Sequence, residues 1–480
     1  MTRVRSRRSS RFVSLLSLLV ILGCAPNEPR PAWEEPPPPP AEGPVVPAAD
    51  LHRATLPNGL TLIVLEDDRL PRVALGLKLR RGVGSVDPAK AGVAELAAEV
   101  MQRGAGERDA LELARVVEDV GASLSVAADW DTTGIGLSGL SEDLDLLFEI
   151  LEDVALRPRF DPAEFEKAQA EQQAGLIAAL DDPATLVRWH SLRVVFGGHR
   201  YGLPVSGTPE TLASLDVEDA QAYWRERFVP RNTIFWAVGD LSAEEVIAEA
   251  RRRFGGLADT PVPAGTPVPP DPTPTERILV VVDKPELVQA RIHLLHEGIA
   301  RIEPTRLAAG LLNDALGGSG FSSRLMQSVR ADEGLTYGIG SGFALRSQPG
   351  PFGVATFTRV GEVRRVIDIV LAELQAIRSD RPVDESELEG FVRYNIGRFG
   401  LSLETSEALL GSLVDLDVHG LPEDSLDTYR ARIRALTVED VAEAARTRLH
   451  PDRAAIVVLG PASEIVPQLE DLGPVEVFEP

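Results

Sequence analysis

Seven prolines crowd residues 261–274, and the chain presents one order of elements twice, once on each side of them. Upstream, apolar or alternating runs at 60–65 and 73–79 predict strands. Helical spacing follows at 89–103 and 109–120, then a hairpin at 122–140 and helices at 142–154, 162–180, 184–196 and 217–227. A strand at 233–239 and a helix at 242–254 close this half. Downstream, strands at 278–283 and 289–295 lead to a helix at 304–316 and a hairpin at 335–357. Helices at 363–377, 385–399 and 438–449 follow, and a strand at 454–460 closes the second half. The closing stretches AVGDLSAEEV and VVLGPASEIV read as one strand-to-helix turn used twice. Such a repeat predicts an internal duplication: two α+β halves, each an antiparallel sheet with helices on one side.

The ends belong to neither half. Residues 1–23 open with Arg3, Arg5, Arg7, Arg8 and Arg11 and no acid, then continue through an apolar run at 12–22. That run is shorter than the roughly 20 residues of a membrane-spanning helix and follows the plan of a secretory signal. It closes on Ile21-Leu22-Gly23-Cys24, which resembles the lipobox of bacterial lipoproteins. The resemblance implies lipid on Cys24, the only cysteine, and hence no internal disulfide. The expected location is the cell envelope, as a periplasm-facing lipoprotein of the outer membrane, because Ala25 follows the cysteine where an inner-membrane lipoprotein commonly has aspartate. Residues 24–50, with Pro36 to Pro40 in succession, predict an extended tether. The two halves then fall at 51–258 and 276–470, joined by the proline-rich 259–275. Formal charge is −24, and it becomes −29 once the five leader arginines are removed. No basic tract survives, which argues against nucleic acid as a partner.

Seven segments, weak singly but ordered together, carry a family resemblance. They are LPNGL at 56–60, GVAELAAEVMQRGA at 92–105, GASLS at 121–125, RPRFDPAEFEK at 157–167, GGHRYGLPVSGTPETL at 197–212, RFVPRNTIFWAVGDLS at 227–242 and LGGSGFSSRLMQSVRADEGLTYGI at 316–339. With the closing strand they resemble the M16 metallopeptidases, the insulinase or mitochondrial-processing-peptidase-like family, over nearly all of 51–465. The resemblance implies two like domains closing on a chamber. Active members carry His-x-x-Glu-His on the first long helix: two histidines hold zinc and the glutamate acts as general base on its water. Laid on that motif without a gap, this chain has Glu95, Ala98 and Glu99 in the places of His, Glu and His. The later carboxylate ligand falls in the helix with Glu164, Glu166 and Lys167, and the preferred register puts Ala168 there.

Two carboxylates without imidazole or thiolate do not make a zinc site, and a methyl group cannot accept a proton. No metal or cofactor is therefore expected in this chain. The histidines offer no substitute. His293 and His296 are spaced i, i+3 on a predicted strand and point to opposite faces, His199 lies in a GGHRYG turn, and His52, His190, His419 and His450 are scattered.

The second half keeps more of the pattern. RADEGLTYG matches the segment in which bacterial and mitochondrial family members hold the substrate backbone, which implies that role for Arg330 and Tyr337. Gly317, Gly318 and Gly320 resemble the glycine-rich loop of the non-catalytic mitochondrial subunit, and lack the Gly-Lys-Ser/Thr of a nucleotide loop. The resemblance thus implies a non-catalytic subunit that binds unfolded peptides. It would complete the active site of a zinc-bearing homologue with an intact His-x-x-Glu-His, and touch the membrane through its lipid alone. The alternatives are a scaffold or peptide-binding protein with no protease role, and a zinc metallopeptidase with atypical ligands.

Overall fold

Asn58-Gly59 decides the first turn. Strand β1 (Leu51–Thr55) runs antiparallel to β2 (Thr61–Glu66), and the Leu56 N–H donates to the Leu60 carbonyl at 2.9 Å. Gly59 takes φ +93°, and a Cβ there would sit 2.6 Å from Arg231 Cγ, so both the conformation and the space require glycine. The Asn58 side chain donates to the Phe254 carbonyl and ties the turn to the end of its own half. In this computed structural model the described residues are 43–262 and 274–480. The leader, Cys24, the first part of the tether and the centre of the proline-rich connection lie outside them. Among the described residues no helix is long and apolar enough to cross a membrane. Residues 43–50 are not free of the folded part, because the N–H groups of Val45 and Val46 donate to Asp427.

The remaining strands are β3 (Arg72–Leu79), a short ribbon of β4 (Gly104–Ala105) and β5 (Arg108–Asp109), β6 (Ser123–Ala128), β7 (Thr133–Leu140) and β8 (Thr233–Gly239). The second half supplies β9 (Ile278–Asp283), β10 (Gln289–Glu297), β11 (Ile339–Phe343), β12 (Pro351–Arg359), β13 (Ala455–Gly460) and β14 (Val475–Phe478). The first sheet has the order β1-β2-β8-β3-β7-β6 and the second, read from its far edge, β14-β9-β13-β10-β12-β11. Strand for strand this is one topology used twice. Only the outer edge differs: β1 arrives first and pairs antiparallel, whereas β14 arrives last and pairs parallel. Both sheets are mixed and not purely antiparallel, because β2 pairs parallel with β8 and β9 parallel with β13.

The sheets also differ from expectation in being covered on both faces. Each packs its own helices on one side. The helix Pro183–Phe196 of the first half sets Leu186 and Val187 on Val280, Val282, Val457 and Leu459 of the second sheet. In return the helix Ser406–His419 of the second half lays Leu409, Leu410, Leu413 and Val414 on Ile63, Leu65, Ile234 and Val238 of the first. The halves exchange one helix each. This explains why β2, β9 and β13 read TLIVLE, ILVVVD and AIVVLG, since a strand buried on both faces has no reason to alternate.

His293 and His296 do point to opposite faces of β10. His296 is 2% exposed, its Nδ1–H faces the Glu297 carbonyl at 2.7 Å and its Nε2 accepts the His450 N–H at 3.1 Å. The neutral ring satisfies both bonds, and protonation would remove the acceptor. Burial accordingly pushes His296 down to about 3, and burial with Arg453 and Arg378 nearby pushes His450 down to about 4. Between those values and the ordinary 6.5 the unfolded chain binds the extra protons, so stability falls as pH is lowered through that window and is complete above about pH 7. The expected result is a melting temperature that drops between pH 7.5 and 5, with a shallower pH slope in His296→Gln; equal slopes would remove His296 as the cause.

Candidate functional site

The helix Val93–Met101 follows Gly92 and carries the degenerate positions. Ala98 is 3% exposed and packs into the first-half core. Glu99 stands on the outer side, where Arg103, one turn on, donates to it through Nε at 3.1 Å and Nη2 at 2.7 Å. The same Nη2 reaches Glu171 at 2.5 Å, and Nη1 lies 3.5 Å from Glu164. Three carboxylates from two helices thus converge on one guanidinium that is largely withdrawn from solvent. Burial opposes the charge on Arg103, but the bonds it donates to Glu171 and Glu99 outweigh it and raise its pKa; Glu171 in turn is lowered by Arg103.

On the helix Pro162–Leu180 it is Glu164 and Glu171, and not the position of Ala168, that approach this cluster. Ala168 is 2% exposed and faces the core, which corrects the register that placed it at the site. Glu95 is occupied elsewhere. Its Oε2 is enclosed without a hydrogen-bond partner, and its charge supports Arg200, a side chain 1% exposed that donates to the carbonyls of Leu203, Pro204 and Val205.

These residues do not fit zinc. They offer no imidazole or thiolate, and a permanently charged guanidinium already takes up the carboxylates that a metal would need. Among the described residues no three His, Cys, Asp or Glu side chains gather so as to hold a metal ion.

The second cluster lies in the other half. The helix Arg306–Asn313 runs into a π-helical turn, Asp314–Gly318, and a second π-helical segment, Met326–Asp332, carries Arg330. Such turns are uncommon and are often found where a helix presents functional groups. Gly317 lies against β11, where a Cβ would come within 2.7 Å of the Ser341 backbone nitrogen, so only glycine lets this loop approach the strand. The loop ends on Phe321. Arg330 is held between two rings, with its Cζ 4.7 Å from the Phe321 centroid and 4.6 Å from that of Tyr337. Both rings are exposed, Phe321 by 69% and Tyr337 by 76%. The nearby Glu333 pairs with Arg365, and among the described residues Arg330 has no ion-pair partner. Loop, arginine and tyrosine therefore lie together in the second half. Phe321 was not singled out in the sequence, although a large aromatic directly after a glycine loop was a usable signal.

Two like halves, a first helix in the place of a metallopeptidase motif and an arginine–tyrosine pair in the second half define a metallopeptidase-like scaffold. Residues 62–208 match the family model described as insulinase (peptidase family M16), and residues 214–393 match the peptidase M16 inactive domain. The chain belongs to the peptidase M16 family. It is 27% identical over 422 residues to an uncharacterized zinc protease of Streptomyces coelicolor, covering 86% of this chain and 90% of that protein. A Bacillus subtilis uncharacterized zinc protease is 24% identical, covering 82% and 97%. Among solved structures, a peptidase M16 inactive domain from Pseudomonas fluorescens superimposes with TM-score 0.78 at 26% identity, covering 86% of this chain and 98% of that one. A Helicobacter pylori protease has the same fold, with TM-score 0.78 at 18% identity.

Proposed function

We propose that this chain is the non-catalytic subunit of a two-chain M16 peptidase, binding unfolded peptide and completing the active site of a zinc-bearing homologue. The observation that carries the reading is an asymmetry between the halves. Where the family motif would hold metal, Arg103 takes up Glu99, Glu164 and Glu171, so the first half is closed to a metal by its own cation. In the second half a half-buried Arg330, without an ion-pair partner among the described residues, lies against the exposed rings of Phe321 and Tyr337 beside a glycine loop. A guanidinium set against two rings and not tied to a carboxylate can donate its planar fork to peptide carbonyls. The zinc and the general base then come from the partner.

The purified chain is expected to contain no stoichiometric zinc and to leave unfolded peptides uncut. Elemental analysis and a peptide-cleavage assay test this, and chelator-sensitive cleavage that disappears in Glu99→Ala would overturn it in favour of atypical metal ligands. Adding a homologue with an intact His-x-x-Glu-His should produce cleavage above that of the homologue alone.

The same reading places the chain in the cell envelope, held at the outer membrane by lipid on Cys24. Cys24→Ser should shift the protein from the membrane to the soluble fraction or leave an unprocessed precursor. Unchanged fractionation of that variant counts against the anchor.

A further inference from the structure

A cavity of about 420 Å³ lies on the seam between the halves, within the roughly 300–1,000 Å³ of small-ligand sites. Its walls include Trp130, Arg188, Trp189 and Leu192 from the first half and His293 and Arg346 from the second. No aspartate or glutamate lines it, in a chain that carries 73 acidic residues. The nitrogen-bearing side chains there are short of partners. Arg346 is 8% exposed, stacks on Trp130 at 3.9 Å and Tyr201 at 4.4 Å, and leaves Nη1 enclosed with no acceptor. His293 Nδ1 is likewise enclosed and unbonded. Arg188 is exposed at this wall; burial chiefly, with Arg188 beside it, disfavours charge on both His293 and Arg346, while Tyr201 and Asp131 favour it on Arg346. Asp131, the acid beside Trp130, does not line the cavity, and its Oδ1 accepts the Ser347 N–H at 2.9 Å.

A buried guanidinium with an enclosed nitrogen that lacks an acceptor, and with no ion-pair partner among the described residues, is expensive to fold. Fixed aromatic rings hold this one in place, so the missing group is an anion and not a rearrangement of the protein. The rest of the wall, with Leu192, Leu203, Pro204, Val205 and Leu295, is apolar. Of the common anions this fits a single carboxylate on an apolar body better than a phosphate, which carries more charge and asks for donors on every side. We infer that the seam cavity binds a carboxylate with an apolar body, its head group received by Arg346, Arg188 and His293 and its body lying against Trp130, Trp189 and Leu192. Two sources share that chemistry: the free C-terminus of a peptide ending in an apolar residue, and a medium-chain fatty acid. Because the wall is drawn from both halves, occupancy would also brace one half against the other. The site is contained in this chain alone and does not rest on a zinc-bearing partner, so its failure and the failure of the subunit reading are separate results.

Titration calorimetry on the full mature chain tests it, with N-acetyl-Phe-Leu against its C-terminal amide, and octanoate against octanol. At least one acid should bind saturably, and its uncharged counterpart about tenfold more weakly or not at all. Arg188→Gln, at an exposed position that leaves the core untouched, and Arg346→Gln should each weaken the acid about tenfold. Arg188→Gln with His293→Gln decides the matter if Arg346→Gln does not fold. Binding of the peptide acid alone names a peptide terminus, and binding of octanoate alone names a fatty acid. The inference is overturned if neither acid binds, if acid and uncharged counterpart bind alike, or if Arg188→Gln and His293→Gln bind as wild type.

Discussion

Arg330→Ala is expected to lower the specificity constant for peptide cleavage by the assembled pair roughly tenfold to a hundredfold, because a charge-assisted hydrogen bond contributes about 1.5–3 kcal/mol. The arrangement makes the variants separable. Arg330→Lys keeps the charge but loses the planar fork that packs against the Phe321 and Tyr337 rings, so it should recover only part of the activity. Tyr337→Phe keeps the ring and removes the hydroxyl, which isolates hydrogen bonding to substrate from the stacking that positions Arg330. Phe321→Ala removes one side of the clamp without touching a donor and should act as a weakened form of Arg330→Ala. Each variant is mixed with the zinc-bearing homologue, gel filtration confirms that the pair forms, and cleavage rates are compared. Pairs carrying Arg330→Ala and Tyr337→Phe that cleave as fast as wild type would sink the shared-site reading, and the scaffold reading would replace it.

The second large effect is expected far from that cluster. Leu413→Ala should destabilise the whole folded chain by about 2–5 kcal/mol, the usual range for emptying a buried leucine site. Leu413 is 1% exposed and belongs to a helix of the second half, yet its neighbours are Ile63, Leu65, Ile234 and Val238 of the first sheet. The loss should therefore appear in both halves at once, as one calorimetric transition moved to lower temperature. Trp236, half-buried in the same cluster, should report the same midpoint by fluorescence. Ile177→Ala, at a side chain 64% exposed, serves as the control and should stay within about 0.5 kcal/mol. A neutral Leu413→Ala, or two transitions of which only one moves, would show that the exchanged helix does not couple the halves.

The exchange also marks the limit of what periodicity reveals. Most predicted elements lie within a few residues of the observed ones, and Pro162–Leu180, Val217–Arg227, Thr233–Gly239 and Ile278–Asp283 agree end for end. The helices Ser406–His419 and Ser425–Arg434 were not predicted. A helix covered on one side shows a narrow apolar stripe, but Ser406–His419 is packed by the first sheet and also by Phe399, Leu403 and Leu421 of its own half, and its apolar face is correspondingly broad. The helix predicted at 304–316 is observed at 306–318, but its last turn, Asp314–Gly318, is π-helical, a change of winding that leaves no mark in side-chain spacing.

The sequence by itself determined the duplication, the strand and hairpin frame of both halves, the substitution of Glu95, Ala98 and Glu99 at the motif positions, and the pairing of Arg330 with Tyr337. The duplication and the frame follow from local pattern and short spacing, which a linear reading can measure, and the motif positions and the Arg330–Tyr337 pair are what the resemblance to the M16 family implies. Only the tertiary structure decided what became of the first-half carboxylates, because the ion that neutralises them, Arg103, meets Glu171 across 68 residues of chain. It alone set Phe321 over Arg330, exchanged a helix between the halves and enclosed Arg346 on the seam with Nη1 lacking an acceptor. Charge compensation and burial depend on which surfaces meet, and that is fixed only when the two sheets have closed on each other's helices.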